Sequence, residues 1–94
     1  MKDRIMRAAL HIAARDGFMQ VTRAGVATFA RIAPGSISYH FGPLKKFQTA
    51  IVLAAIAAEN LAIIGQAIAA KHPAALKAPD ALKAKALKAM QQAA

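Results

Sequence analysis

The chain has 94 residues, 13 Lys and Arg against 4 Asp and Glu for a net charge of +9, and no cysteine. That length fits one small domain, and the missing cysteines exclude disulfides and thiolate metal sites. A charge this high on so small a body points to a polyanionic partner, nucleic acid ahead of an anionic membrane surface.

Apolar residues make up 57% of the chain and aromatic residues only 5%. Ala, Ile and Leu therefore supply the apolar volume, and an all-α fold is expected. Arg4, Arg7 and Arg15 interrupt the first apolar positions, so no secretory leader is expected and the protein is read as cytoplasmic. The charge is uneven. Residues 1–49 hold every arginine, and arginine suits phosphate and base-edge contacts.

"DRIMRAALHIAAR" over 3–15 has amphipathic helical spacing. Ile5, Met6, Ala9, Leu10, Ile12 and Ala13 form its apolar side, and Arg4, Arg7, His11 and Arg15 a polar stripe. Gly17 suits its C-terminal end. Thr22 suits the N-cap of a second helix over about 23–30, with Val26, Ala27 and either Phe29 or Ala30 turned inward. A tight turn near Arg31–Ala33 follows, and Pro34 opens a third helix through about His40. In "GSISYHFG", Ser36, Tyr39 and His40 share one helical face while Ile37 and Phe41 share the opposite one. Gly42 and Pro43 make the next break. Leu44 to about Lys71 holds no breaker except Gly65, which predicts one long helix. "KHP" ends it, "AALKAP" reads as a linker, and "DALKAKALKAMQQ" as a last, lysine-rich helix.

A short helix, a tight turn and a second helix with a polar face, behind a supporting first helix, form the helix-turn-helix plan. Its second helix enters the DNA major groove. Residues 4–47 resemble the N-terminal DNA-binding domain of the TetR family of transcriptional regulators. "RIMRAALHIAARDGF" looks like that family's first helix, and "VATFARIAPGSISYHFG" like its helix-turn-helix run, without a gap. The resemblance implies that Thr22, Tyr39 and His40 hold DNA phosphates and that Gly35 and Ser36 lie near bases. It also implies that Ile32, Ile37 and Phe41 pack the motif and that Ala27 lets two helices cross closely. The chain departs from the pattern at Arg31, where the family has its turn glycine, at Ala33 and Pro34, and at Leu44.

Lys45 and Lys46 carry weight without the resemblance. Cations in a helix's first turn oppose its dipole at roughly 0.3–1 kcal/mol each, and a phosphate bound there reverses the sign. The expected DNA-binding set is Thr22, Arg23, Arg31, Pro34, Gly35, Ser36, Ser38, Tyr39, His40, Lys45 and Lys46.

"AIVLAAIAAENLAIIGQAIAA" over 50–70 is apolar almost all round, with Glu59, Asn60 and Gln66 its polar exceptions. Such a helix needs cover on every side, so a homodimer is expected, with Ile51, Ala54, Ala58, Leu61, Gly65 and Ile68 at its interface. The segment is long enough to span a membrane, but Glu59 and Asn60 at its centre argue against that, and no membrane partner is expected. After the first three helices too little chain remains for an enclosed inducer pocket, so no small-molecule ligand or cofactor is expected. His11, His40 and His72 lack ligand spacing, and the four carboxylates are scattered, so neither a metal site nor an enzyme is expected.

The expected architecture is all-α: a helix-turn-helix three-helix domain over 1–43, then a long dimerisation helix and a short C-terminal helix over 44–94. The expected function is sequence-specific DNA binding by a homodimeric repressor at an inverted repeat, in a form that suits a phage or mobile-element regulator. Two alternatives stay open: a sequence-indifferent architectural DNA binder, and a protein-interaction or membrane-associated helical module.

Overall fold

In a computed structural model, which describes residues 2–93, apolar spacing winds Lys2–Asp16 into α1. Ile5, Ala8, Ala9, Ile12 and Ala13 are buried, and Arg4, Arg7, His11 and Arg15 are exposed. Gly17, at a φ of 101°, closes the helix with its N–H on the Ala13 carbonyl at 2.8 Å. A 3-10 turn, Phe18–Gln20, leads to α2, Arg23–Ala30. Thr22 caps α2, its hydroxyl accepting from the Gly25 N–H at 3.0 Å. Val26, Ala27 and Ala30 turn inward; Phe29 is 49% exposed.

Arg31 ends α2 in the left-handed region, φ 59° and ψ 49°, the conformation glycine takes at least cost. Pro34 then occupies the first turn of α3, Pro34–Phe41, and Ile37 anchors that helix in the core. Ala27 is buried in the core, while Ile32 and Phe41 are half-buried against it. Gly42, at a φ of 76°, closes α3 on the Ser38 carbonyl, and Pro43 precedes α4.

From here the structure departs from the expected long helix. α4 covers Leu44–Ala57 and α5 covers Leu61–Ala69. Between them Glu59 takes a left-handed φ of 53°, and Asn60 caps α5 by accepting from the Ile63 N–H at 3.3 Å. The break lets α5 pack on α4 and α1, so apolar surface that a continuous rod would offer to a partner is buried within the chain. Ile51, Val52 and Ala55 of α4 and Ile63, Ile64 and Ala67 of α5 are fully buried. Lys71 is a third left-handed non-glycine residue, and His72 caps α6, Pro73–Leu76, by accepting at Nδ1 from the Ala74 N–H at 3.2 Å. The expected linker is therefore partly helical. The last helix, α7 (Asp80–Ala93), lays Leu82 and Ala86 against the core and Met90 over Gly65 of α5. A Cβ at position 65 would come within 2.6 Å of the Met90 sulfur, so glycine permits this approach.

Two of the residues expected at a dimer interface are used up by this packing. Ile51 is in the core and Gly65 lies under Met90. Ala54, Leu61 and Ile68 are half-buried and Ala58 is exposed. Segments 1–43 and 44–94 share one hydrophobic core, running from Ile5 to Ala86. A polar joint reinforces it: Gln66 Nε2 donates to the Ala13 carbonyl at 3.1 Å, and Gln66 Oε1 accepts from the Phe18 N–H at 2.9 Å. Among the described residues, no helix is long and apolar enough to cross a membrane.

Candidate nucleic-acid interface

Between Asp16 and Glu59 the sequence has no carboxylate, yet it has Arg23, Arg31, Lys45 and Lys46. That stretch builds the whole of α2, α3 and α4, so their shared surface is cationic without internal neutralisation. The start of α2 meets α3 through a hydrogen bond from Arg23 Nη1 to Ser38 Oγ at 3.0 Å. Around it Thr22, Arg23, Ala24, Pro34, Gly35, Ser38 and Leu44 line a cleft of about 450 Å3.

Local chemistry suits that cleft to an anion. The Thr22 hydroxyl accepts from the Gly25 N–H and keeps its own proton to donate. Arg23 spends one N–H on Ser38, leaving others of its five free. A Cβ added at Gly35 would meet nothing within 4 Å, so a ligand can approach the α3 backbone closely there. Pro34 in the first turn offers no N–H there, which leaves Thr22 and Arg23 as side-chain donors at that corner.

Farther along α3, Tyr39 is 85% exposed, its ring edge-on to His40 with centroids 5.1 Å apart. A side chain so exposed adds little to the core, while its phenol is free to donate to a partner. His40 and Ser36 are half-buried. Lys45 and Lys46 are exposed in the first turn of α4, which has no acidic residue to offset them.

Of the residues expected to face DNA, Thr22, Arg23, Pro34, Gly35 and Ser38 line one cleft. Ser36, Tyr39 and His40 belong to the same helix, and Lys45 and Lys46 follow Leu44 at the cleft's edge. Arg31 does not join them. It stands at the far end of α2, with the eight residues and about 12 Å of that helix between it and the Thr22 cap, and lines a separate groove with Arg4, Arg7, His11 and Phe29.

The polar stripe of α1 also divides. Arg4 Nη2 donates to the Ala30 carbonyl at 2.7 Å, satisfying the end of α2. Arg15 pairs with Asp16 at 2.9 Å, and their hydrogen bond holds the Asp16 carboxyl below its ordinary pKa range and raises that of Arg15. Phe29, one of two candidates for the core, instead stacks on His11 with centroids 4.9 Å apart. The only signal of that contact in the sequence was the choice between Phe29 and Ala30.

No family model, curated protein or solved structure matches this chain.

Proposed function

We propose that the protein is a sequence-specific DNA-binding transcriptional regulator, a repressor that binds an inverted-repeat operator as a homodimer with α3 in the major groove. The observation that carries this is the cleft joining the cap of α2 to the start of α3, on a surface with no carboxylate between Asp16 and Glu59. Thr22, Arg23, Tyr39 and His40 position the DNA backbone. Gly35 and Ser36, at the start of α3, approach base edges. Phosphate near the α4 N-terminus relieves the adverse placement of Lys45 and Lys46.

The homodimer gains support from a surface other than the core of α4 and α5. Leu53 is 55% exposed and borders a groove of about 560 Å3 between α4 and α6, with Ile56, Pro73 and Ala74. Apolar surface of that kind is suited to pairing.

One observation favours sequence-indifferent binding: Lys77, Lys85 and Lys88 are exposed along the chain's last segment, apart from α3. Selection of genomic fragments by the purified protein at ~150 mM salt, where purely electrostatic binding is weak, separates the two. A recovered inverted repeat supports the regulator. Recovery without sequence preference supports architectural binding, and failure to recover DNA refutes both.

A further inference from the structure

Three guanidinium groups, those of Arg4, Arg7 and Arg31, converge on a cleft between α1 and the C-terminal end of α2, with His11 and Phe29 on its wall. It is an open groove of about 430 Å3 that shares no lining residue with the cleft between α2 and α3. Arg4 is held there by its bond to the Ala30 carbonyl, which uses one of its five N–H groups. Arg31 is held by its backbone: left-handed, with its N–H on the carbonyls that end α2. Among the described residues none of the three forms an ion pair; Asp16 is paired to Arg15 and Asp80 to Lys83.

Asp3, which lines a neighbouring groove with Arg7, is the carboxylate nearest in sequence but forms no ion pair with it. Gathering like charges unpaired works against folding, a repulsion that a bound anion removes. Planar guanidinium groups fit phosphate oxygens in a two-pronged geometry that a lone ammonium does not offer. The second half of the cleft is flat and apolar. Phe29 and His11 stack at 4.9 Å with 26° between their planes, and roughly half of Phe29 stays open to solvent. Below lie Ala8 and Ala30, both buried and too small to block a planar group.

We propose that this cleft binds a nucleotide, its phosphate on Arg7 and Arg31, with Arg4 contributing a further N–H, and its base against Phe29. The volume falls within the range of small-ligand clefts, and stacking on an aromatic ring accepts any base. A free mononucleotide and the phosphorylated end of a nucleic-acid strand present the same group.

The test is amide NMR of the full chain, titrated separately with AMP, adenosine, inorganic phosphate and a 5′-phosphorylated single-stranded tetranucleotide at one ionic strength. AMP is expected to shift the amides of Arg7, His11, Phe29 and Arg31 and to bind at least about tenfold tighter than adenosine or phosphate, as one charge-assisted hydrogen bond or a stacked ring allows. The tighter of AMP and the tetranucleotide identifies the source. Arg7→Gln should weaken AMP about tenfold, while Phe29→Leu should cancel its advantage over phosphate. Thermal melts of both variants establish that they fold. Tyr39→Ala, on the exposed face of α3, should leave AMP binding unchanged even if DNA binding is lost. Equal affinity for phosphate and AMP, shifts confined to α3, or no shift would overturn the assignment.

Discussion

Replacing Gln66 by Met tests how the two ends of the chain are held together. The side chain makes two hydrogen bonds, Nε2 to the Ala13 carbonyl at 3.1 Å and Oε1 from the Phe18 N–H at 2.9 Å. Met has nearly the same volume, so no cavity opens, and the change isolates the polar contribution. The Ala13 carbonyl keeps a second partner, the Gly17 N–H at 2.8 Å, so the group left short is the Phe18 amide. Two hydrogen bonds at about 1 kcal/mol each predict a loss of roughly 2 kcal/mol. For a chain of this size that lowers Tm by about 8–16 °C. Urea unfolding read by circular dichroism measures it, with an unchanged m-value as the sign that only stability has moved. A loss below ~0.5 kcal/mol would refute the role given to this joint.

Tyr39→Ala should weaken DNA binding by about tenfold on every sequence while leaving Tm in place, because a phosphate contact carries no base information. Ser36→Ala should instead change the ranking of sequences; fluorescence anisotropy against a panel of duplexes reads both. Lys45→Gln and Lys46→Gln should each lower the slope of log K against log salt by about 1 and raise the stability of the free protein by roughly 0.3–1 kcal/mol. Arg31→Gly should stabilise the fold by about 1 kcal/mol, since it relieves a left-handed side-chain-bearing residue, as a higher urea midpoint would show.

The helices of the first 43 residues were legible because their signals are local. Thr22 is a cap, Pro34 a first-turn residue, and Gly17 and Gly42 hold positive φ. Arg31 has no such signal of its own, and its left-handed conformation followed only from the resemblance to a motif with glycine there. The break at Glu59 escaped because glutamate does not favour the left-handed region, whereas the end near Lys71 was legible from "KHP". Asn60 was the readable clue, a capping residue taken for a polar exception on a continuous helix. What decides for the break is tertiary: folding α5 back buries Ile63, Ile64 and Ala67 without a second chain. In the candidate site, helical spacing grouped Ser36, Tyr39 and His40 on one face. The five expected residues that line the cleft, Thr22, Arg23, Pro34, Gly35 and Ser38, come instead from the start of α2 and the first turns of α3. Arg31 was grouped with them by nearness in sequence, although a helix separates its two ends in space.

The joint at Gln66 also bears on how fast the protein comes apart. α1 packs on α2, α2 on α3, α4 on α5, and α5 on α7, all near neighbours along the chain. Gln66, by contrast, reaches back 48 residues to Phe18 and 53 to Ala13. Closing a loop of that length rather than one of about 10 residues costs about 1.4 kcal/mol more chain entropy, which predicts that this contact forms after the local helix pairs and that Gln66→Met has a φ-value near zero. Interactions made after the transition state govern unfolding and leave the folding rate almost unchanged. Losing ~2 kcal/mol there shortens the folded state's lifetime about 30-fold. On that prediction the side chain that joins the first helix to the fifth is a latch, setting how long the fold persists rather than how quickly it is reached.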